Sequence, residues 1–266
     1  MERFSRLIQL IGNEKIELLA KKKVTIVGLG AVGGFALEIL ARCGTGHFTL
    51  VDFDVIVASN INRNIGALDS TVGKPKADVF AARIKDINPA CTVEKKKVFA
   101  HKDSFDSIFA EKPDIVIDAI DSLGPKIELL RYCVTNKIAV ISSMGAALKK
   151  DPAKIKIADI SETDVCPLAK ELRKHLKRKG ITAGITVVYS TEHALRTGLR
   201  PPPAKIIKQA DGKYVLDDLG SRLPAEEGAA LYIRGRERNI LGSYPAVTAM
   251  FGIYIAHAAI QALADI

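Results

Sequence analysis

The 266-residue chain is predicted to be an α/β protein with a doubly wound, mostly parallel sheet. Three observations lead there. Apolar strand-like runs alternate with amphipathic helical runs to about residue 145, a glycine-rich turn follows the first strand, and an acidic residue closes the second. The alternation places helices on both faces of a Rossmann-like sheet, and the changed pattern after residue 150 adds a smaller C-terminal part with additional strands.

Each element follows in order. Arg3 to Leu19 reads as a short helix, and Val24-Thr-Ile-Val-Gly28 as a buried strand. The glycine-rich exit opens a helix from Gly33 to Cys43, which returns to a strand from Phe48 to Asp52 and completes a βαβ unit. A helix from Lys76 to Ile87 stops at Asn88-Pro89, because proline disfavours helical backbone in the residue before it. A strand from Thr92 to Val98, a helix near Ser104 to Ala110 and a strand from Asp114 to Asp118 come next. Pro125 to Asn136 is expected as a helix with its proline in the first turn, and Ala139 to Ser143 as another buried strand. Lys154 to Ile160 alternates like a half-exposed strand, Pro167 to Lys179 is a basic helix, and Thr186 to Ser190 a further strand. Leu195 to Asn239, with Pro201 to Pro203 inside it, reads as a mobile insertion.

Composition narrows the setting. The chain is 48% hydrophobic and 26% charged, and 39 Lys plus Arg against 30 Asp plus Glu leave it at +9. Cys43, Cys91, Cys133 and Cys166 lie far apart with no CxxC pair, which argues against a zinc site or a disulfide framework and for a reducing cytoplasm. The N-terminus lacks the apolar run and cleavage site of an export signal. Asn239 to Ala264 carries no Asp, Glu, Lys or Arg. It reads as a buried helix diluted by Pro245, Thr248, Gly252, His257 and Gln261, with membrane contact the alternative.

The chemistry concentrates at strand ends. Gly28-Leu-Gly30-Ala-Val-Gly33 is a GxGxxG between a strand and a helix, where backbone amides and a helix N-terminus hold phosphates. Asp52 follows at the end of the next strand, placed to accept from ribose hydroxyls. By themselves these features suit a dinucleotide or ATP and favour a dehydrogenase. Ser59-Asn60-Ile-Asn-Arg63 and Val72-Gly-Lys-Pro-Lys76 shift the balance, because Arg63 and Lys76 could grip a triphosphate that Asn60 orients. Asp118-Ala-Ile-Asp121-Ser122 puts carboxylates at another strand end, with Asp121 a candidate Mg²⁺ ligand and Asp118 equally suited to capping a helix.

GLGAVG, the acids of DFD, SNINR, VGKPK and DAIDS, in this order, resemble the adenylating enzymes related to ubiquitin-activating enzyme. Within that superfamily INRNIGALDSTVGKPKADV, RIKDINPAC, IDAIDSLGPKIELLRYC, ADISETD and YSTE resemble the tRNA threonylcarbamoyladenosine dehydratases, over about residues 3–193. The resemblance implies nucleotide binding by Gly28, Gly30, Gly33, Asp52, Asn60, Arg63, Lys76, Asp121 and Ser122, with Mg²⁺ on Asp121. Arg6 would reach the partner's ATP site in a homodimer, completing a catalytic set with Arg63, Lys76 and Asp121. It further implies residues 1–150 as the ATP-binding core and 151–266 as a substrate- and tRNA-facing part, holding the insertion 195–239 and a C-terminal helix packed on the core.

The expected reaction is ATP activation of a threonyl carboxylate followed by intramolecular ring closure with net loss of water. The chain departs from the superfamily in lacking zinc-binding CxxC pairs and a placed thioester cysteine, and from the dehydratases in carrying Val187 or a neighbour where a cysteine is expected before YSTE. Cys166, beside Pro167 on an expected exposed loop, is the one thiol with a candidate role. Lys170, Arg173, Lys174, Lys177, Arg178 and Lys179 on one short helix suit RNA phosphates. A sulfur-relay or redox protein is a further candidate partner. Competing readings are an activator of a ubiquitin-like or sulfur-carrier protein, an NAD-dependent oxidoreductase, and a nucleotide-sensing scaffold.

Overall fold

The computed structural model describes residues 2–195, 206–208, 214–216 and 241–266. Its centre is a seven-stranded sheet. The strands are β1 (Lys23–Val27), β2 (His47–Val51), β3 (Thr92–Lys96), β4 (Ile115–Asp118), β5 (Ala139–Ser143), β6 (Ile155–Asp159) and β7 (Thr186–Ser190), in the spatial order β3-β2-β1-β4-β5-β7-β6. All neighbours pair in parallel except β6, which runs antiparallel along β7 and forms one edge. The order reverses between β1 and β4, so a crevice opens at their carboxyl ends. The doubly wound, mostly parallel sheet expected from the sequence is present, and the part after residue 150 adds its strands to the far edge of the same sheet. Ile206–Lys208 and Tyr214–Leu216 form a separate antiparallel pair, β8 and β9; the rest of the expected insertion lies outside the described residues.

Strand alternation sends side chains to two cores. Val24, Ile26, Ile115, Ile117, Ile141 and Val188 point to one face, and Val27, Val116, Val140, Val187 and Tyr189 to the other. The first face is covered by α3 (Ala31–Arg42), α4 (Lys76–Ile87) and α8 (Pro245–Ala264) through Leu37, Phe80, Phe251 and Ile255. The second is covered by α5 (Phe105–Ile108), α6 (Leu123–Thr135) and α7 (Pro167–Lys177) through Ile108, Leu129, Leu172 and Leu176. α3 and α4 are clamped by Glu38, whose carboxylate accepts from Arg83 Nε at 2.5 Å and Arg42 Nε at 2.8 Å.

The N-terminal helix expected over Arg3–Leu19 is broken. α1 (Ser5–Ile11) and α2 (Asn13–Leu19) meet at Gly12, whose φ of +85° has no place in a right-handed helix. α4 stops at Asn88, held extended by Pro89, as the sequence requires. The apolar C-terminal segment forms α8, which is long and apolar enough to cross a membrane by length and composition. In the fold it lies across α3, α2 and the sheet. Gly252 brings two helix backbones together: a Cβ there would sit 2.5 Å from the Val32 carbonyl oxygen.

Candidate active site

Four connections meet at the carboxyl edge of the sheet. The first is the glycine turn after β1. Gly28 has φ +94°, and a Cβ on it would lie 2.8 Å from the carbonyl oxygen of Ala119, in the β4–α6 turn. Gly33 is pinned still harder, since its Cβ would fall 1.9 Å from the Gly28 carbonyl oxygen. Gly30, at the N-cap of α3, has no such neighbour within 4 Å. Two glycines therefore close the turn on itself, and the third leaves open ground before the amides of a helix start.

Asp52 follows β2 and ties this turn down. Its Oδ2 accepts from Leu29 N at 2.6 Å and its Oδ1 from Asp54 N at 2.8 Å. Lys76, at the start of α4, lies 3.1 Å from Asp54 Oδ2 and 3.9 Å from Asp52 Oδ2. Lys76 and Asp52 are both buried. Burial works against the charged form of Lys76, but Asp52, Asp54 and Asp121 outweigh it and hold the ammonium above the ordinary lysine value. Burial likewise pushes Asp52 up, against the pull of Lys76.

The segment after Asp54 forms a short turn, Ala58–Asn60, closed by Val57 N donating to Asn60 Oδ1 at 3.3 Å. Arg63 follows. Its Nη1 donates to Ser59 O and Asn62 Oδ1, both at 2.8 Å. Burial lowers its proton affinity, and the charge of Asp121 opposes that shift in part. Asn64 sews the segment to the glycine turn, its Nδ2 donating to Leu29 O at 3.0 Å and its Oδ1 accepting from Gly66 N at 2.9 Å.

The β4–α6 turn carries Asp121, which is exposed, and Ser122, the N-cap residue of α6. It stands on a buried network. Lys126 is 0% exposed, and its Nζ donates to Asp118 Oδ2 at 2.6 Å, Ser142 Oγ at 3.2 Å and Ser143 O at 3.0 Å. Asp118 Oδ1 accepts from Ile120 N at 3.1 Å. Asp118 thus belongs to the foundation of the turn, paired inside the protein, and of its two expected roles neither ligand binding nor helix capping is the one observed.

Gly28, Gly30, Gly33, Asp52, Asn60, Arg63, Lys76, Asp121 and Ser122 are thereby brought to one edge. Arg6 is not. It is exposed on α1, and Arg3 Nη1 donates to Ile87 O at 2.5 Å while Phe4 packs near Gly44. Those are the connections into the amino ends of β3 and β2, so Arg6 stands on the opposite side of its own chain's sheet. The expectation for Cys166 is corrected. The residue is 2% exposed, buried at the start of α7 against the second core, because Ile160, Ala169 and Leu172 pack around that turn. Elsewhere, burial pushes the Cys91 thiol up to about 11 and the Cys133 thiol up to about 12. Asn64 and Lys126 were missed by sequence reasoning. Lys126 left a signal, since it occupies the apolar stripe of α6 with Leu129, Leu130 and Cys133.

A glycine turn, an acid after the second strand and a cation pair at the switch point define a nucleotide-binding protein of the doubly wound α/β class. The chain belongs to the ThiF family, which it matches over residues 4–266. It is 45% identical over 192 residues to the tRNA threonylcarbamoyladenosine dehydratase of Bacillus subtilis, covering 72% of this chain and 76% of that one. The Escherichia coli enzyme of the same name is 39% identical over 198 residues, with 72% and 74% covered. The crystal structure of E. coli tRNA N6-threonylcarbamoyladenosine dehydratase in complex with ATP superposes with a TM-score of 0.79 at 32% identity, covering 98% of this chain and 93% of the other.

Proposed function

We propose that the chain is an ATP-dependent tRNA threonylcarbamoyladenosine dehydratase, acting in the cytoplasm, that closes the threonylcarbamoyl group into a ring with loss of water. The observation that carries this reading is the gathering of cations at the glycine turn: Asp52, which accepts from Leu29 N, lies 3.9 Å from Lys76, and Asn64, next to Arg63, donates to Leu29 O, with Asp121 on the neighbouring turn. A dinucleotide needs no such set beyond its pyrophosphate, whereas a triphosphate that must be attacked does. The similarity to the dehydratases supplies the substrate.

Asp52 keeps acceptor capacity for ribose hydroxyls after taking two backbone amides, since a carboxylate offers about four lone-pair sites. Phosphates would lie over Gly30 and the first amides of α3, oriented by Asn60 and Ser122. Nε and Nη2 of Arg63 and the ammonium of Lys76 meet the charge that develops there. Mg²⁺ would be held in the same corner by Asp121, an exposed carboxylate on the β4–α6 turn, together with nucleotide phosphates, since one carboxylate suffices when phosphates and water complete the shell. When bound, it neutralises phosphate charge.

A threonyl carboxylate oxygen attacks phosphorus, and the bond from that phosphorus to the departing phosphate breaks, giving a mixed anhydride. The carbamoyl group of the same side chain then attacks the activated carbonyl, closing the ring, losing a proton and expelling the second phosphate product. High effective concentration drives the closure, and no enzyme thiol takes part. Arg6 would complete the site of the partner in a homodimer, a reading supported by its place far from its own crevice and by the 81% exposure of Leu10 on the same helix.

Incubation of threonylcarbamoyladenosine-bearing tRNA with the protein, ATP and Mg²⁺, followed by mild digestion and mass spectrometry, tests the reading. The expected product is a nucleoside lighter by one water, formed only with ATP. An unchanged nucleoside in the presence of bound ATP would move the assignment to activation of a carrier protein.

A further inference from the structure

We infer that the exposed face of α7 is a phosphate track for a base-paired RNA stem, starting at the rim of the nucleotide site. Identifying the RNA as tRNA rests on the function proposed above; the track itself rests on charge and placement.

The helix is sharply two-sided. Ala169, Leu172 and Leu176 are buried against the second core, where α6 and α7 pack together. Lys170, Lys174 and Lys177, at i, i+4 and i+7, share the opposite, exposed face, and Arg178 and Lys179 extend it. Arg173 leaves the set that the sequence suggested, since its guanidinium turns inward and donates to Thr163 Oγ1. Glu171 is the sole acid of the helix and lies 3.8 Å from Lys174. Lys170, Lys177, Arg178 and Lys179 have no ion-pair partner among the described residues. A face that leaves four of its five cations without an ion-pair partner among the described residues is costly in self-repulsion and suits a polyanion.

Placement links this face to the site. Gly145 follows the carboxyl end of β5, and a Cβ built on it would touch Leu168 Cβ at 3.9 Å. The first turn of α7 therefore lies at the edge that carries the crevice, and the helix runs from there for about 16 Å at ~1.5 Å per residue. The chemistry selects the kind of nucleic acid. α7 carries no Phe, Tyr or Trp on which an unpaired base could stack, its His175 is half-buried, and of its exposed cations only Arg178 is planar, so it offers mainly charge for a regular backbone. A substrate nucleoside entering the crevice would have its adjoining stem on this flank.

The test compares binding of full-length tRNA across a salt series by the whole protein, by Lys170→Gln/Lys174→Gln/Lys177→Gln, and by a control at the other sheet edge, Lys95→Gln/Lys96→Gln/Lys97→Gln. The α7 variant should bind about ten-fold or more weakly, with the slope of log K against log salt reduced by roughly one for each phosphate no longer neutralised. The control should bind as the unaltered protein does, and circular dichroism should show all three folded. An anticodon stem-loop should compete better than oligouridine of the same length. Unchanged binding by the α7 variant, or equal weakening of variant and control, would overturn the track. So would better competition by oligouridine, or by polyglutamate, which would make the face one for single strands or for an acidic protein. If the α7 variant loses tRNA while the unaltered protein never dehydrates it, the dehydratase reading falls and the track stands. If dehydration proceeds with an unaltered KM for tRNA in the α7 variant, the track falls alone.

Discussion

Gly30 and Gly33 stand three residues apart and are demanded by different things. At Gly33 the protein itself forbids a side chain, because the added carbon would overlap the Gly28 carbonyl; at Gly30 the protein leaves room, and it is the proposed phosphates that would occupy it. Gly33→Ala should therefore lower the melting temperature sharply or prevent folding. Gly30→Ala should fold with a loss of about 1 kcal/mol, the cost of exchanging a tolerated N-cap residue for a poor one, yet lose most of its ATP affinity by calorimetry. Equal ATP affinity in Gly30→Ala and the unaltered protein would place the phosphates elsewhere. The places of these glycines, Asp52 and Asp121 were legible because each sits in a spaced motif at a strand end, and those of Arg63 and Lys76 because they sit in motifs of the loop and helix start that follow β2. Asn64 was not, since its task is to join two loops, and such a pairing leaves no periodicity in the chain. Cys166 misled for a related reason: a residue before Pro167 reads as loop, and its burial depends on a distant core.

At the scale of elements, a half-buried and a fully buried ionic cluster hold the parts in place, and they respond differently to perturbation. Burial raises the Glu38 carboxyl, but hydrogen bonds and charge from Arg83 and Arg42 outweigh it and hold the group below its ordinary value near 4.5. A carboxyl lowered in the folded state contributes stability above its unfolded value and loses it as pH falls through the folded one. Glu38→Gln should thus be less stable by about 2 kcal/mol at neutral pH, and the gap should shrink as the pH drops below the ordinary carboxylate range. Thermal melts of both proteins across that range check the sign. Lys126→Met strands Asp118 without a counter-charge beneath the turn that carries Asp121. It should cost about 3–5 kcal/mol in denaturant unfolding, and Asp118→Asn in the same chain should recover part of that loss. Elements with both ends marked in sequence, such as α4 and β5, were legible to the residue. The break at Gly12 was not, because glycine is tolerated inside helices and only the backbone angle it adopts decides between interruption and continuity.

For the whole molecule, the site and Arg6 lie on opposite sides of one sheet, which makes the proposed homodimer testable by mixing. Arg6→Ala and Asp121→Ala chains should each be inactive, and refolding them together should restore part of the activity, because one of the two sites in a mixed dimer is complete. Continued inactivity of the mixture would confine Arg6 to its own chain. Where two such chains could meet is restricted by the ends of the sheet. β3 and β6 are the outermost strands, and a bare outer strand offers its unpaired backbone to any other chain that comes alongside. Lys95 and Lys96 stand on β3, and Lys156 on β6, beside Lys154 at its entry. A second sheet added at either border would crowd these lysines and disturb the pairs that Lys95, Lys96 and Lys154 make with Asp78, Glu94 and Asp151, so charged edge strands discourage assembly into ribbons from both ends.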